Sequence, residues 1–369
     1  MRTGAPDLDD ADELIAADVD GLLTAVALAG AQVRSVAEAQ REGVLAPLAD
    51  LRPRSVVIVC APTGAAAGAA RLVVAAIAAR VDVPIVTAPV LPGWIGPLDV
   101  VVIAGDDAGD MSLADAAARS VRRRAEVVVA APIEGPLRDA LSGNGIDLSP
   151  RVHVDPRFRF PGFVAALLAV FVSLAAVRFT GQVPDVGALA DALDDEAGAN
   201  HPGKESFHNR AKLLAARLEG PSSIWVGDSA GTVEIAGQAV RSLAALAGVI
   251  GAVAEIGDVM RMTRRWAERS GSSPADSIFH DPEIDGPLAA PPPRVFAVTV
   301  PAREWYVRQR FDAIGDLEVL AGDGDDADRA VAPSGYADVA GDTPTDLAPL
   351  LLVLLRIEMA AVYLGLIRI

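Results

Sequence analysis

The sequence is poor in the residues that build disulfides, cysteine-based metal centres and nucleic-acid surfaces. Its 369 residues include one cysteine, Cys60, which excludes an internal disulfide and a metal site made of several cysteines. There are 32 Lys and Arg against 49 Asp and Glu, a net charge of −17. Nucleic-acid binding depends on basic side chains that neutralise phosphates, so we expect no nucleic-acid partner. We also predict no cofactor and no metal site.

Aromatic residues are scarce as well, at 4% of a chain that is 51% hydrophobic. The core must therefore be built from Ala, Val and Leu. Alanine-rich helices that pack closely on valine-rich strands are typical of α/β proteins. Cys60 lies within such a valine-rich run, and we predict a buried, inert thiol.

We expect neither a membrane-spanning segment nor a signal peptide in this sequence. The apolar run Gly162–Val177 is 16 residues long, shorter than the usual span of about 20 residues. The run Leu347–Ile369 is interrupted by Arg356 and Glu358. We expect both to be core helices. The first residues are acidic where a signal peptide would be basic and then apolar, so we expect a cytoplasmic protein without membrane contact.

Two stretches share a strand–loop–helix pattern around which the chain is organised. In Ser55–Ala79 an apolar β-branched strand leads through a loop with Pro and Gly into a helix of small residues, and Ser222–Gly248 repeats the order. The short stretch Gly181–Asp185 separates the two halves. We predict two doubly wound, three-layer α/β domains with parallel sheets, over residues 1–185 and 186–369, with packing helices at both ends of the chain.

The remaining elements follow the same alternation. Residues 7 to 43 have an amphipathic helical pattern, as one helix or two. Further strands are predicted in the first half at Val83–Ala88, Asp99–Gly105, Glu126–Pro132 and Arg151–Asp155, and in the second half within residues 249–256, at Pro293–Val300 and at Leu317–Gly322.

Four segments carry short motifs that, taken together, form a pattern: His208–Asp228, Ser277–Gly286, Asp155–Phe163 and Asp346–Ile369. They resemble, in that order, the Asn-x-Ala-Lys helix, the His-Asn-Glu-Ile-x-Gly loop, the Pro-Arg segment that ends the first domain and the closing helix with a Val-Tyr-Leu signature of one family. That family is the sugar isomerase (SIS) domain proteins, and the resemblance is closest to the bifunctional phosphoglucose/phosphomannose isomerases. The resemblance implies two SIS-like domains and aldose–ketose isomerisation of six-carbon sugar phosphates.

The resemblance also assigns roles to individual residues. His280 matches the family's ring-opening histidine, with one extra residue between it and Glu283. Arg157 matches the active-site arginine that follows a proline. Glu283 keeps the family's loop motif and is a candidate binding residue, with bracing of the loop as the alternative role. The alternatives are a histidine without a catalytic task and a surface arginine beside a turn.

The phosphate loops depart from the family pattern. In the first loop Thr63 is the remaining hydroxyl and Gly64 the remaining glycine of the motif, and both are candidate binding residues. Ser229 is the candidate in the repeated unit. The loop after the third strand carries Asp106, Asp107 and Asp110 where the family has hydroxyls. Carboxylates there repel a phosphate unless a metal or an arginine intervenes. We interpret them as a solvated loop in which Asp110 caps the next helix.

The catalytic base is not at the family's position. No carboxylate occurs in the helix segment that should carry it, and Glu234 and Glu255 flank that segment as the candidate bases.

Three hypotheses follow. The first is a phosphosugar isomerase with a remodelled site. The second is a non-catalytic SIS-domain protein that binds a sugar phosphate, a nucleotide sugar or a protein partner. The third is an enzyme for an uncharged or cationic ligand, attracted by the acidic loop. Relatives with this resemblance usually pair, so we expect a homodimer.

Overall fold

The structure is a computed structural model that describes residues 5–220, 222–270, 292–312, 314–322 and 341–368. Strands and helices alternate along most of the chain. The helices are α1 (Ala11–Ala17), α2 (Leu22–Ala27), α3 (Ala29–Arg41), α4 (Ala65–Ile77), α5 (Met111–Arg122), α6 (Gly135–Leu141), α7 (Phe160–Ser173), α8 (Val186–Ala199), α9 (Arg210–Leu218), α10 (Ala230–Ala247), α11 (Ile256–Ser270), α12 (Glu304–Arg310) and α13 (Leu347–Ile367).

The first half forms a parallel sheet of five strands in the order β2-β1-β3-β4-β5. All residues of β1 and β3 are buried, as the continuous runs of β-branched residues predict for central parallel strands. The strands are β1 (Ser55–Val59), β2 (Ile85–Ala88), β3 (Asp99–Ala104), β4 (Glu126–Ala130) and β5 (Ile146–Asp147).

The second half forms a parallel sheet in which four strands are described, in the order β7-β6-β8-β9. Its central strand β6 carries Trp225, whose ring stacks on Phe296 of β8 at a centroid distance of 4.7 Å. The strands are β6 (Ser223–Gly227), β7 (Gly251–Val253), β8 (Arg294–Val298) and β9 (Leu317–Leu320).

A layer of helices lies between the two sheets and forms one core with both. Alternate strand residues point to opposite faces, so Val56 and Ile58 enter this shared core while Val57 and Val59 face α5 and α6. In the second sheet Trp225 enters the shared core and Ile224 faces α11 and α12. The helices that contribute buried residues to the shared core are α1, α2, α3, α4, α7, α8, α9, α10 and α13. The predicted α/β architecture with two parallel sheets is confirmed.

Helix α13 is the central helix of that layer. With the turn before it, it spans Pro344–Ile367 and is, within the described residues, the one helix long and apolar enough to cross a membrane, yet 83% of its most apolar stretch is buried inside the protein. Arg356 pairs with Glu196 of α8, and the Tyr363 hydroxyl donates to the carbonyl oxygen of Asn200 at 2.6 Å. These contacts agree with the predicted core helix.

Local differences from the sequence prediction concern helix ends and one strand. The amino-terminal amphipathic segment forms three helices, and Asp18 caps the start of the second through the backbone N–H groups of Leu22 and Leu23. The predicted strand Arg151–Asp155 is irregular, and the edge strand is β5 instead. The boundary between residues 185 and 186 stays a prediction.

Candidate functional site

The loops after β1 and β3 lie at the same edge of the first sheet. The two strands are neighbours and parallel, with Val59 opposite Ile103, so their carboxyl ends coincide. The first loop begins with the buried Cys60 and continues through the exposed Thr63 to Gly64. Burial raises the pKa of the Cys60 thiol, and the nearby Arg71 opposes that shift. The raised pKa agrees with an inert thiol. The position of the loop places the predicted binding residues Thr63 and Gly64 at the edge where α/β sheets bind ligands.

The amino end of α4 is open. Its N-cap residue is Gly64, and no side chain caps the helix within the described residues. Gly64 has φ +96° and ψ −175°, a conformation that is essentially restricted to glycine. In the part of the chain that the structure describes, no side chain therefore occupies the backbone N–H groups of the first helical turn, which lie at the positive end of the helix dipole.

The acidic second loop is organised by caps and one ion pair. Asp110 accepts hydrogen bonds from the N–H groups of Ser112 and Leu113, so the predicted cap of α5 is confirmed. Asp107 accepts from the N–H of Gly109. Within the described residues no group of three His, Cys, Asp or Glu side chains is placed to hold a metal ion.

Asp106 is held by an arginine. Its carboxylate accepts from Nη1 of Arg159 at 3.2 Å, and Arg159 is largely buried and also donates to the carbonyl oxygen of Val154. Burial raises the pKa of Asp106, while Arg159 opposes that shift. The repulsion expected from this loop is thus partly neutralised by Arg159, which the sequence analysis did not single out although it follows Arg157 by two residues.

Arg157 lies in the short turn Pro156–Phe158 that packs on α4. Its guanidinium donates to both carboxylate oxygens of Asp155, at 2.9 and 2.8 Å. These bonds raise the pKa of Arg157 and lower that of Asp155. The predicted binding arginine therefore lies near α4 with its charge paired.

Glu234 lies where the two halves meet. It is on α10, which packs on α4, and accepts from Nε of Arg71 of α4 at 2.7 Å. Two turns further along α10, the guanidinium of Arg241 lies close to Gly68 of α4. Burial lowers the pKa of Arg241, whose guanidinium is held by the side-chain oxygen of Gln238. A candidate base and two arginines thus flank the amino-terminal half of α4.

The second half repeats the strand–loop–helix unit, but side chains of this chain occupy the amino end of its helix α10. Ser229 caps α10 in a reciprocal capping box with Thr232. The carboxylate of Asp342 accepts from the Ser229 hydroxyl at 2.5 Å and from the N–H of Gly231 at 2.8 Å. Ser229 is therefore engaged by this chain's own side chains. No spacing pattern indicates Asp342 in advance, since 113 residues separate it from Ser229.

The other predicted residues are not brought to this edge by a described contact. Glu255 is exposed at the end of β7, and its carbonyl oxygen accepts from Asp258 and Val259 at the start of α11. His280 and Glu283 lie outside the described residues. Their roles stay predictions.

No family model and no curated protein sequence matches the chain. Several solved structures do. A candidate phosphosugar isomerase from Silicibacter pomeroyi DSS-3 is 15% identical over 93% of this chain and 96% of its own, with a TM-score of 0.58. One from Clostridium difficile 630 is 11% identical over 91% and 92%, with a TM-score of 0.57. A candidate sugar binding protein from Salmonella typhimurium LT2 is 12% identical over 92% and 99%, with a TM-score of 0.56. The predicted likeness to the SIS proteins is confirmed at the level of the fold, which this chain shares over nearly its whole length.

Proposed function

We propose that the protein binds a phosphorylated sugar at the amino end of α4, with the phosphate on the backbone N–H groups that follow Gly64. The observation that carries the proposal is that no described side chain caps the start of this helix, which lies at the ligand-binding edge of the first sheet. Backbone N–H groups and the helix dipole favour an anion at that position. Two candidate phosphosugar isomerases and a candidate sugar binding protein have the same fold, so a sugar phosphate is the first ligand class to test.

The surrounding side chains support the same ligand. The exposed Thr63 hydroxyl precedes Gly64 and can donate to a phosphate oxygen. The turn that carries Arg157 packs on the same helix. Asp106, which would repel a phosphate, has its charge partly compensated by Arg159 at 3.2 Å. Hydroxyl, backbone donors and arginines at one edge are the groups that bind phosphate esters.

A thermal shift experiment tests the binding. Mannose 6-phosphate and fructose 6-phosphate are expected to raise the Tm of the full chain, while free mannose is not. Ala65→Glu introduces a carboxylate at the first residue of α4 and is expected to abolish the shift. Ala65→Gln has nearly the same size without the charge and is the matched control. Equal shifts in both variants, or no shift in the wild type, would reject the site.

Aldose–ketose isomerisation is the second candidate function. The observation that favours it is Glu234, a carboxylate 2.7 Å from Arg71 on the helix that presents the proposed phosphate site. Moving a proton between two carbons needs a base, and the enediolate needs a nearby cation. A coupled assay with mannose 6-phosphate and fructose 6-phosphate tests it. Turnover lost in Glu234→Gln with an intact thermal shift supports the isomerase, whereas binding without turnover leaves a non-catalytic sugar-phosphate protein.

We also propose that the protein is cytoplasmic and forms a homodimer. The predicted ring-opening residue His280 would be tested by His280→Ala in the coupled assay, which is expected to lose turnover and to retain binding.

A further inference from the structure

The two strand–loop–helix units differ in what occupies the start of their helices. At α4 no side chain caps the helix within the described residues. At α10 the first turn receives the Ser229 and Thr232 side chains together with the carboxylate of Asp342. Asp342 lies far along the chain, just before α13, and its side chain is 3% exposed. The same structural position is thus open in one half and filled in the other.

Asp342 engages donors of the type that phosphate uses. One carboxylate oxygen accepts from the Ser229 hydroxyl at 2.5 Å, and the other accepts from the backbone N–H of Gly231 at 2.8 Å. A hydroxyl and a first-turn N–H at a helix amino end form the usual anion cradle of α/β proteins. A Cβ atom on residue 231 would lie 3.0 Å from the Asp342 carboxyl, so glycine at this position permits the close approach.

A buried arginine completes the contact. Arg303 is 5% exposed and lies 3.4 Å from Asp342, 2.7 Å from Asp228 and 3.3 Å from Asp346. Its Nη2 also donates to the Ser229 hydroxyl oxygen at 3.0 Å. Burial disfavours the charged guanidinium, but the carboxylates outweigh that effect and raise the pKa of Arg303. With one arginine and three carboxylates, the start of α10 carries a net negative charge, and it is already occupied by Asp342.

We propose that Asp342 is a built-in anion that occupies the phosphate position of the second half and closes it to external anions. The contact is autoinhibitory for that unit and restricts anion binding to the open start of α4. It also fastens residues 341–346, just before α13, to the carboxyl edge of the second sheet. The assignment of α4 as the open unit rests on the proposed function, while the closure at α10 can be tested without it.

The test is chemical rescue by inorganic phosphate in the full chain. Asp342→Ala removes the internal carboxylate and frees the Ser229 hydroxyl and the N–H of Gly231, while Arg303 stays beside them in contact with Asp228 and Asp346. Asp346→Ala is the matched control, because Asp346 also contacts Arg303 but bonds to the N–H of Thr343 rather than to α10. Each protein is melted in phosphate and in chloride at equal ionic strength.

Asp342→Ala is expected to have a lower Tm than the wild type in chloride. Phosphate should raise the Tm of this variant by about 2–4 °C more than it raises that of the wild type or Asp346→Ala. Asp342→Asn keeps the shape and loses the charge, and it provides the same comparison if the alanine variant fails to fold. An equal phosphate response in the wild type, both Asp342 variants and the control would overturn the proposal.

The two proposals fail in different ways. If Asp342→Ala gains no phosphate response while Ala65→Glu still abolishes the sugar-phosphate shift, the closure of α10 is wrong and the α4 site stands. If Asp342→Ala gains the response while the wild type shows no sugar-phosphate shift, the closure is correct and the proposed function is wrong.

Discussion

The carboxyl group of Glu358 is buried between α13 and α10. Among the described contacts, no Lys or Arg side chain bonds to it directly. It is 1% exposed and accepts hydrogen bonds from Gln238 and Ser242, each at 3.3 Å. Arg241 contacts it only through Gln238. Burial therefore dominates and raises the pKa of Glu358 to about 8, although its hydrogen bonds oppose the shift. The folded protein keeps this proton at pH values where the unfolded chain has lost it.

That proton makes stability depend on pH with a definite sign. The unfolded carboxyl ionises near 4.5 and the folded one near 8, so the free energy of unfolding falls as pH rises between these values. Glu358→Gln keeps the shape and cannot ionise, so it should lose this slope and gain stability relative to the wild type at about pH 8. Urea unfolding at several pH values measures it. Glu134→Gln, at an exposed carboxylate, is the control, and equal slopes in wild type and Glu358→Gln would contradict the assignment.

Asp106 sets the charge at the proposed ligand edge. Replacing it with Asn removes a carboxylate and frees the guanidinium of Arg159 that it now binds at 3.2 Å. We expect Asp106→Asn to bind a sugar phosphate more tightly, by roughly tenfold, the effect of about 1.4 kcal/mol. Calorimetric titration with mannose 6-phosphate measures the change. Asp107→Asn alters an exposed carboxylate of the same loop and should change affinity little; equal gains in both variants would point to general charge rather than to this pair.

Local residue roles were predictable and long-range pairs were not. The cap by Asp110 follows from its place just before a helical pattern, and the structure has it. The partners of Asp106 and Ser229 come from positions 159 and 342, and no spacing rule connects them. The sequence of the loop therefore predicts repulsion of a phosphate, whereas the arginine that neutralises Asp106 is identified only by the tertiary structure.

At the scale of elements, continuous apolar runs correctly predicted the central strands. The alternating apolar and polar pattern wrongly predicted an edge strand of the first sheet. Residues 151 to 155 alternate in the manner of a strand, but Pro150 and Pro156 bracket them. Arg151 pairs with Glu42, and Asp155 caps the turn that starts at Pro156. The place beside β4 is taken by the two residues of β5, after the turn with left-handed Gly143 and Gly145. Two residues are too few to produce a periodic signal.

A buried ion pair fastens α8 to α13. Arg356 donates to both carboxylate oxygens of Glu196 at 2.8 and 3.0 Å, and both side chains are more than nine-tenths buried. Asn200 extends the network by donating to Glu196 and accepting from the N–H of Ala211 in α9. The polar residues that interrupt the apolar run of α13 are thus the ones that fix its contacts with neighbouring helices.

Breaking this pair from one side should cost more than replacing both partners. Glu196→Gln removes the carboxylate that binds Arg356 at 2.8 and 3.0 Å and is expected to lower the free energy of unfolding by about 3–5 kcal/mol. The double variant Glu196→Leu with Arg356→Met should be more stable than Glu196→Gln, because neither buried charge remains. Urea unfolding of the full chain measures both. Additive losses in a double-mutant cycle with the single variants would contradict coupling between the two side chains.

At the scale of the whole molecule, the two halves share one interior. The layer of α3, α4 and α7 from the first half packs with α9, α10 and α13 from the second, and one continuous apolar cluster includes residues of both sheets. Helix α8, the first helix after the predicted boundary, packs on α3 of the first half and on α13 of the second. The duplicated strand–loop–helix pattern predicted two sheets, but it carried no information on how their helices would be shared.

Because the shared layer supplies one face of each sheet, the halves should not fold separately. We expect the fragments 1–185 and 186–369 to lack cooperative unfolding when expressed alone, since each would expose the apolar face of α4 or α10 to water. The full chain should unfold in one transition, with coincident Trp fluorescence and circular dichroism curves. Mixing the two fragments should restore a cooperative transition. The first-half fragment mixed with a second-half fragment that carries Trp225→Ala should recover it less well, because that variant lacks a ring at the centre of the shared core. Two separate transitions in the full chain, or a first-half fragment that melts cooperatively by itself, would show that the layer between the sheets is an interface of independent domains rather than a common core.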